Sequence, residues 1–213
     1  MKKMFLLSFT ILCCVAGSAQ MVLHDPVTGR TFDVERYSST RGTPFLFEKW
    51  LPGTATSERG IYKNLELKLD AFTNTLYFNR NDELYEFIEQ IKSFTIISGD
   101  TLYFKKGLSG NNLKPDQYVQ VLAEGKVNFY KSEIKSITEM SEINAGMVKT
   151  FISSTRYFIS KDDKLEMVKL NKDILDFMGD KKDQIKDFMD SNKISAKKES
   201  DFVKIIRLYN SLL

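Results

Sequence analysis

From residue 61 onward, apolar and polar side chains alternate with period two. In NLELKLDAF, Leu65, Leu67 and Leu69 alternate with Glu66, Lys68 and Asp70, which predicts a strand with one buried face and one wet face. Thr75 to Phe78 and Leu84 to Ile88 read as two more strands joined by the polar turn NRND. IKSFTII and DTLYFKK continue the series across Ser98-Gly99-Asp100. A loop with Gly107, Gly110 and Pro115 interrupts it. Strands resume in QYVQVLAEGKVNFYK, turned at AEGK, then in EIKSITE, and then in TRYFISKDDKLEMVKL, a hairpin with the charged tip SKDDK. The pattern predicts a mainly β (α+β) fold: an antiparallel meander forming a sandwich or a partly open barrel.

The last forty residues change period. Ile174, Leu175, Phe177 and Met178 recur at helical spacing, as do Ile185, Phe188 and Met189, and again Phe202, Ile205, Ile206 and Tyr209. Gly179 and Ser191-Asn192 separate three short helices, too short to stand alone, which must lay their apolar stripes on the β-part. The expected organisation is an export signal over 1–19, a β-rich domain over 20–170 and a helical tail over 171–213.

Ahead of the strands, HDPVTGR reads as a turn around Pro26 and Gly29. Between Pro44 and Pro52 lies an apolar knot of Phe45, Leu46, Phe47, Trp50 and Leu51. It reads either as aromatics packed over an end of the β-core or as a ligand-binding platform of Trp50, Phe47 and Phe45. Trp50 is the single Trp of the chain.

The first twenty residues carry Lys2 and Lys3, an apolar run from Met4 to Val15, and the small residues Gly17-Ser18-Ala19, the order of a secretory signal cut before Gln20. The rival is lipidation at Cys13 or Cys14, but Leu12 and Cys13 precede them where a lipobox wants a small residue. Cleavage at Gln20 leaves 194 residues without cysteine, so no disulfide, zinc thiolate or cysteine nucleophile is expected. It also takes the net charge from +3 to +1, which offers no electrostatic footprint for nucleic acid. No later apolar run is long enough to span a bilayer, and no cofactor motif is present: no P-loop and no GxGxxG.

Catalytic chemistry has little to work with. The single histidine, His24, falls near the expected mature start, a poor platform for a preorganised site. There is no G-x-S-x-G elbow. Asp173, Asp176, Asp180, Asp183, Asp187 and Asp190 recur at steps of three and four, giving one acidic stripe opposite the apolar stripe. Lys172, Lys182 and Lys186 lie among them as pairing partners, and no calcium-loop pattern accompanies them. The acidic stripe reads as a solvated face. The charged tips NRNDE and SKDDK read as solvent-facing turns or contact loops.

GTPFLFEKWLPGTA, YKNLELKLDAFTNTLYF, QVLAEGKVNFYK and the closing DFVKIIRLYNSL, with its aromatic-Asn pair Tyr209-Asn210, resemble an exported, functionally uncharacterised β-rich family common in Bacteroidota. The resemblance covers nearly all of the expected mature chain. It implies export to a Gram-negative envelope and brings no catalytic residue with it.

The leading expectation is a non-catalytic periplasmic or secreted protein that works by contact, with an envelope protein partner or the cell surface. Alternating strands leave edges that can pair with other chains. Two alternatives remain open: a binding module for a small apolar or sugar ligand, and an enzyme that uses carboxylates alone, such as a glycosidase.

Overall fold

The computed structural model describes residues 34–143, 146–162 and 164–213. The expected export signal, Cys13, Cys14, His24 and the turn at Pro26 and Gly29 lie outside the described residues. After a 3-10 turn at Val34–Tyr37 come β1 (Thr40–Arg41), β2 (Leu51–Ser57), β3 (Ile61–Asp70), β4 (Thr75–Arg80), β5 (Glu83–Glu86), β6 (Ile91–Ser98), β7 (Asp100–Lys105), β8 (Val119–Ala123), β9 (Val127–Glu142), β10 (Gly146–Lys161) and β11 (Lys164–Val168). Helices α1 (Ile174–Phe177), α2 (Lys182–Ser191) and α3 (Glu199–Leu212) close the chain. The strands form one sheet in the order β1-β10-β9-β8-β7-β6-β2-β3-β4-β5, with β11 also on β10. The pair β1–β10 is parallel and the other pairs are antiparallel. The ends of this order do not pair, so the sheet is not closed into a barrel. The protein is an α+β fold dominated by antiparallel sheet with C-terminal helices, as the alternation predicts.

Turn chemistry explains the meander. Asn81 and Asp82, with φ of 54° and 64°, form a two-residue loop between β4 and β5, the geometry in which both central residues take positive φ. Gly99, at φ 78°, turns β6 into β7. Strand β5 stops at Glu86 rather than at Ile88, and Ile88 is exposed. Leu67 and Leu69 are buried as predicted and meet Leu76, Phe78, Phe87, Phe94, Phe104 and Tyr118 in one interior cluster on and around strands β2 to β7. Rings fill that interior: Phe94 stacks on Phe104 at 4.7 Å, and Tyr118 meets Phe94 edge-on at 5.0 Å.

Asp70, expected on the wet face, is 0% exposed. Its Oδ1 accepts the backbone N–H groups of Phe72 (2.8 Å) and Thr73 (2.9 Å), and its Oδ2 accepts the Tyr37 hydroxyl at 3.5 Å. The carboxylate therefore shapes the β3–β4 turn from within, and burial is compensated by those donors. The turn in turn braces β9, where the Lys135 N–H donates to Ala71 O at 3.0 Å.

The helices cover the other half of the sheet. Met178, Ile185, Met189, Phe202, Ile205, Ile206 and Tyr209 bury against Ala123, Val127, Phe129 and Ile159. Phe129 and Ile159 pair across β9–β10, and the alternation of the pleat sends their neighbours Tyr130 and Phe158 to the opposite face. There Leu108, Leu113 and Leu165 cover them. Asn210 locks α3 down: its Oδ1 accepts the Val127 N–H at 2.8 Å, and its Nδ2 donates to Val127 O at 2.7 Å. Gly125 makes room for it, since a Cβ at that position would lie 2.5 Å from Asn210 Cγ. Asn210→Ala is expected to lower stability by about 2 kcal/mol, two backbone hydrogen bonds at about 1 kcal/mol each, in urea unfolding.

Asp201 opens α3 and is held by the Ser195 N–H (3.0 Å) and by Lys204 Nζ (2.9 Å). The backbone donor first, then Lys204, keeps its carboxyl below the usual aspartate range. A folded pKa below the unfolded one means that its stabilisation is present above the unfolded value and is lost as pH falls through the folded value. The urea midpoint is therefore expected to fall below about pH 4 and to fall less steeply in Asp201→Asn. Identical slopes in the two proteins would contradict this role.

Candidate functional site

The aromatic knot splits in two. Phe47 packs with Leu46 and Leu51 against the inner cluster of β2–β7. Phe45 and Trp50 are half-buried on the opposite face and are brought together by Lys68, whose Nζ lies 4.8 Å from the Phe45 ring and 4.9 Å from the Trp50 ring. The stacking surface a ligand would use is thus held by a cation of the chain itself. Burial between the rings lowers the Lys68 pKa, opposed by Glu48. Tyr77, opposite Lys68 in the register, closes the cluster beneath Phe45, and burial, with Asp70 and Glu86 nearby, pushes its phenol up to about 12.

Two surface grooves, among others, lie elsewhere. One, of about 340 Å³, runs between the β3–β4 turn and the segments after β5 and β7, lined by Thr75, Glu86, Ile88, Lys106, Asp116 and Tyr118. Burial lowers the Lys106 pKa, and its Nζ sits 5.1 Å from the Tyr118 ring. Burial also raises the Tyr118 pKa, and its hydroxyl donates to Ile91 O at 2.7 Å. The other groove, of about 390 Å³, is lined by Met167, Val168, Ile174 and Phe177 between β11 and α1.

The six aspartates of the acidic stripe are all exposed. Lys182 pairs with Asp176 at 2.6 Å, and Lys181 pairs with Asp180 at 2.7 Å, so lysines neutralise the stripe locally. Among the described residues, no three His, Cys, Asp or Glu side chains gather as a metal-holding group. No helix among them is long and apolar enough to cross a membrane.

The feature that sequence reasoning missed is the length of β9 and β10. EIKSITE is not a separate strand but the middle of β9, and β9 and β10 pair residue for residue over sixteen positions each. Past Tyr130 and Phe158, where β8 and the helices end, the hairpin becomes a ribbon of two long strands, flanked along β10 only by the two residues of β1, and its faces differ. Odd positions form the face turned toward the helices: Lys131, Glu133, Lys135, Ile137 and Glu139, with Lys149, Phe151 and Tyr157 across from them. That face is held. Glu199 of α3 accepts the Tyr157 hydroxyl at 2.7 Å and pairs with Lys131 at 3.2 Å, while Phe151 meets the Tyr37 and Phe72 rings edge-on at 5.3 and 5.5 Å.

The even face is less covered: Arg41 of β1, beside Thr150 in the register, reaches past β10 to Glu142 at the tip, and Ser136, Met140, Ile152 and Ser154 stay exposed. Its rows are Ile134 with Ser154, Ser136 with Ile152, Thr138 with Thr150, and Met140 with Val148. None of the eight is charged. Ile152 is 47% exposed, Met140 64%, and Ile143 at the tip 94%. Arg156 stands at the base of this face and Glu142 at its tip. The signal was in the chain: between residues 133 and 141 the charges fall on odd positions alone.

No model of a known protein family, no curated protein and no solved structure matches the chain.

Proposed function

We propose that this is a non-catalytic protein of the cell envelope that works by contact with another protein chain, and that the β9–β10 ribbon is the contacting element. The observation that carries the reading is the uncharged even face, four rows long, with Met140 and Ile152 exposed on a ribbon whose other face is braced. Exposed apolar side chains gathered on one projecting element mark interaction sites more often than scattered ones do. The charged, small-residue order of residues 1–19 supports export.

The test is photocrosslinking in intact cells. A photoreactive side chain at Ile152, on the bare face, is expected to give a discrete protein adduct. The same group at Thr155, on the opposite face, is expected to give less. No adduct from Ile152 at any growth stage would contradict the reading.

A further inference from the structure

We infer that the bare face of the β9–β10 ribbon receives the same face of a second copy of this chain, ribbon on ribbon and antiparallel, as a weak dimer. The inference rests on the contact reading above and names its partner.

The face is complementary to itself. Laid antiparallel across a twofold axis, the row of Ile134 and Ser154 falls on the partner's row of Met140 and Val148, and the row of Ser136 and Ile152 falls on that of Thr138 and Thr150. Large side chains then meet in the outer rows and small hydroxyl-bearing ones flank Ile152 in the inner rows. None of the eight is charged, and the cation that shares the face, Arg41 beside Thr150, is already paired with Glu142. The opposite face could not do this, since Lys131, Glu133, Lys135, Glu139 and Lys149 would have to be desolvated.

The ends decide the direction. The same superposition puts Arg156 of each copy beside Glu142 of the other. Arg156 is exposed and makes no ion pair among the described residues. Glu142 is held by Arg41 through a single nitrogen, Nη1, at 2.7 and 2.9 Å from its two oxygens. A carboxylate has about four acceptor sites, so Glu142 has room for a second guanidinium. A parallel arrangement would instead set Arg156 on Arg156 and Glu142 on Glu142. At the base, Ser132 is fully buried, and beyond it Leu108, Leu113 and Leu165 cover Tyr130 and Phe158. That cover limits how far the partner's tip can advance and so sets the register.

The size of the face sets the strength. Rows repeat about every 6.8 Å along a strand, so the six rows from Arg156 to Glu142 span about 34 Å. With two strands abreast, each copy buries a few hundred Å², below the range of standard-size interfaces, and the dimer is expected to be concentration-dependent.

Sedimentation equilibrium of the purified protein, from low micromolar upward, tests this. The wild type is expected to move reversibly from monomer to dimer. Ile152→Glu, at an exposed position where folding is unaffected, is expected to remain monomeric. Arg156→Glu is expected to weaken association about tenfold, because two symmetric pairs turn repulsive together. The double variant R156E/E142R is expected to recover part of that loss, since Glu142→Arg also removes the partner of Arg41. A wild type that stays monomeric to millimolar concentration overturns the inference, as does a dimer that Ile152→Glu and Arg156→Glu leave unchanged. A monomer that floats with anionic vesicles overturns it as well. A monomer whose Ile152 crosslinks to a different protein in cells overturns the second copy as partner and leaves the contact reading standing.

Discussion

Gly53→Ala is expected to destabilise the protein by about 3 kcal/mol, at the upper end of what overpacking costs. Gly53 lies in β2 between β3 and β6, opposite Leu65 on one side and Ile96 on the other. A Cβ there would sit 2.1 Å from Thr95 O and 2.7 Å from Leu67 Cδ1. The leucine can shift, but the carbonyl belongs to the backbone of a neighbouring central strand and is tied into its ladder. Relief would require β2 and β6 to separate, opening the ring cluster that Phe94 and Phe104 fill. Gly60→Ala is the control: a Cβ there meets nothing within 4 Å, so its effect should stay within about 0.5 kcal/mol. Urea midpoints for the two variants give the comparison, and equal midpoints would contradict the packing described for β2.

Asp70→Ala is expected to cost about 3 kcal/mol, for a different reason. The Phe72 and Thr73 N–H groups would lose their acceptor inside the protein, at about 1–3 kcal/mol for each buried donor left unpaired. Asp70→Asn keeps one carbonyl oxygen for those donors and is expected to lose much less. The effect should also spread. Ala71 O accepts from Lys135 of β9, and the Phe72 ring packs on Phe151 of β10, so the turn that Asp70 shapes is a support of the ribbon. Hydrogen exchange at Lys135 is expected to accelerate in Asp70→Ala and to change little in Asp70→Asn. Unchanged exchange in both would separate the turn from the ribbon and remove this link.

Much of the meander was legible because short-range signals coincide with long-range ones. Leu67 and Leu69 alternate with polar residues, and the turns at Asn81-Asp82 and Gly99 contain the residue types that tolerate positive φ. The helical tail was legible for the same reason, since its apolar positions keep helical spacing and all three helices have a surface to cover. Asp70 was not legible. Alternation assigns it to the polar face, and only the turn that follows, with Tyr37 arriving from earlier in the chain, makes burial tolerable. The pairing of Lys68 with Phe45 and Trp50 was hidden for a similar reason, because Pro44 to Leu46 return to pair alongside the end of β3, at Leu69 to Ala71.

The ribbon escaped notice for a subtler reason. Residues 132–142 and 146–156 mix Ser, Thr, Ile and Met with charges, so neither face reads as core, and period-two patterns are judged against an interior. A ribbon that leaves the body of the sheet has no interior. Its two faces are distinguished by charge rather than by hydrophobicity, and the choice of which face is braced depends on Phe151, Tyr157 and partners far away in sequence.

Two methionines at the ribbon's end report on the central claim, that its even face is the one kept for contact. Met140 lies on that face and Met147 on the other, with nearly equal exposure, 64% and 65%. Met178 and Met189, at 0% and 4%, serve as buried references. Brief peroxide treatment followed by peptide mass mapping reads all four. In dilute purified protein, Met140 and Met147 are expected to oxidise together, well ahead of Met178 and Met189. In intact cells Met140 is expected to fall behind Met147, because its face is covered there. Equal oxidation of Met140 and Met147 in both settings would contradict the account.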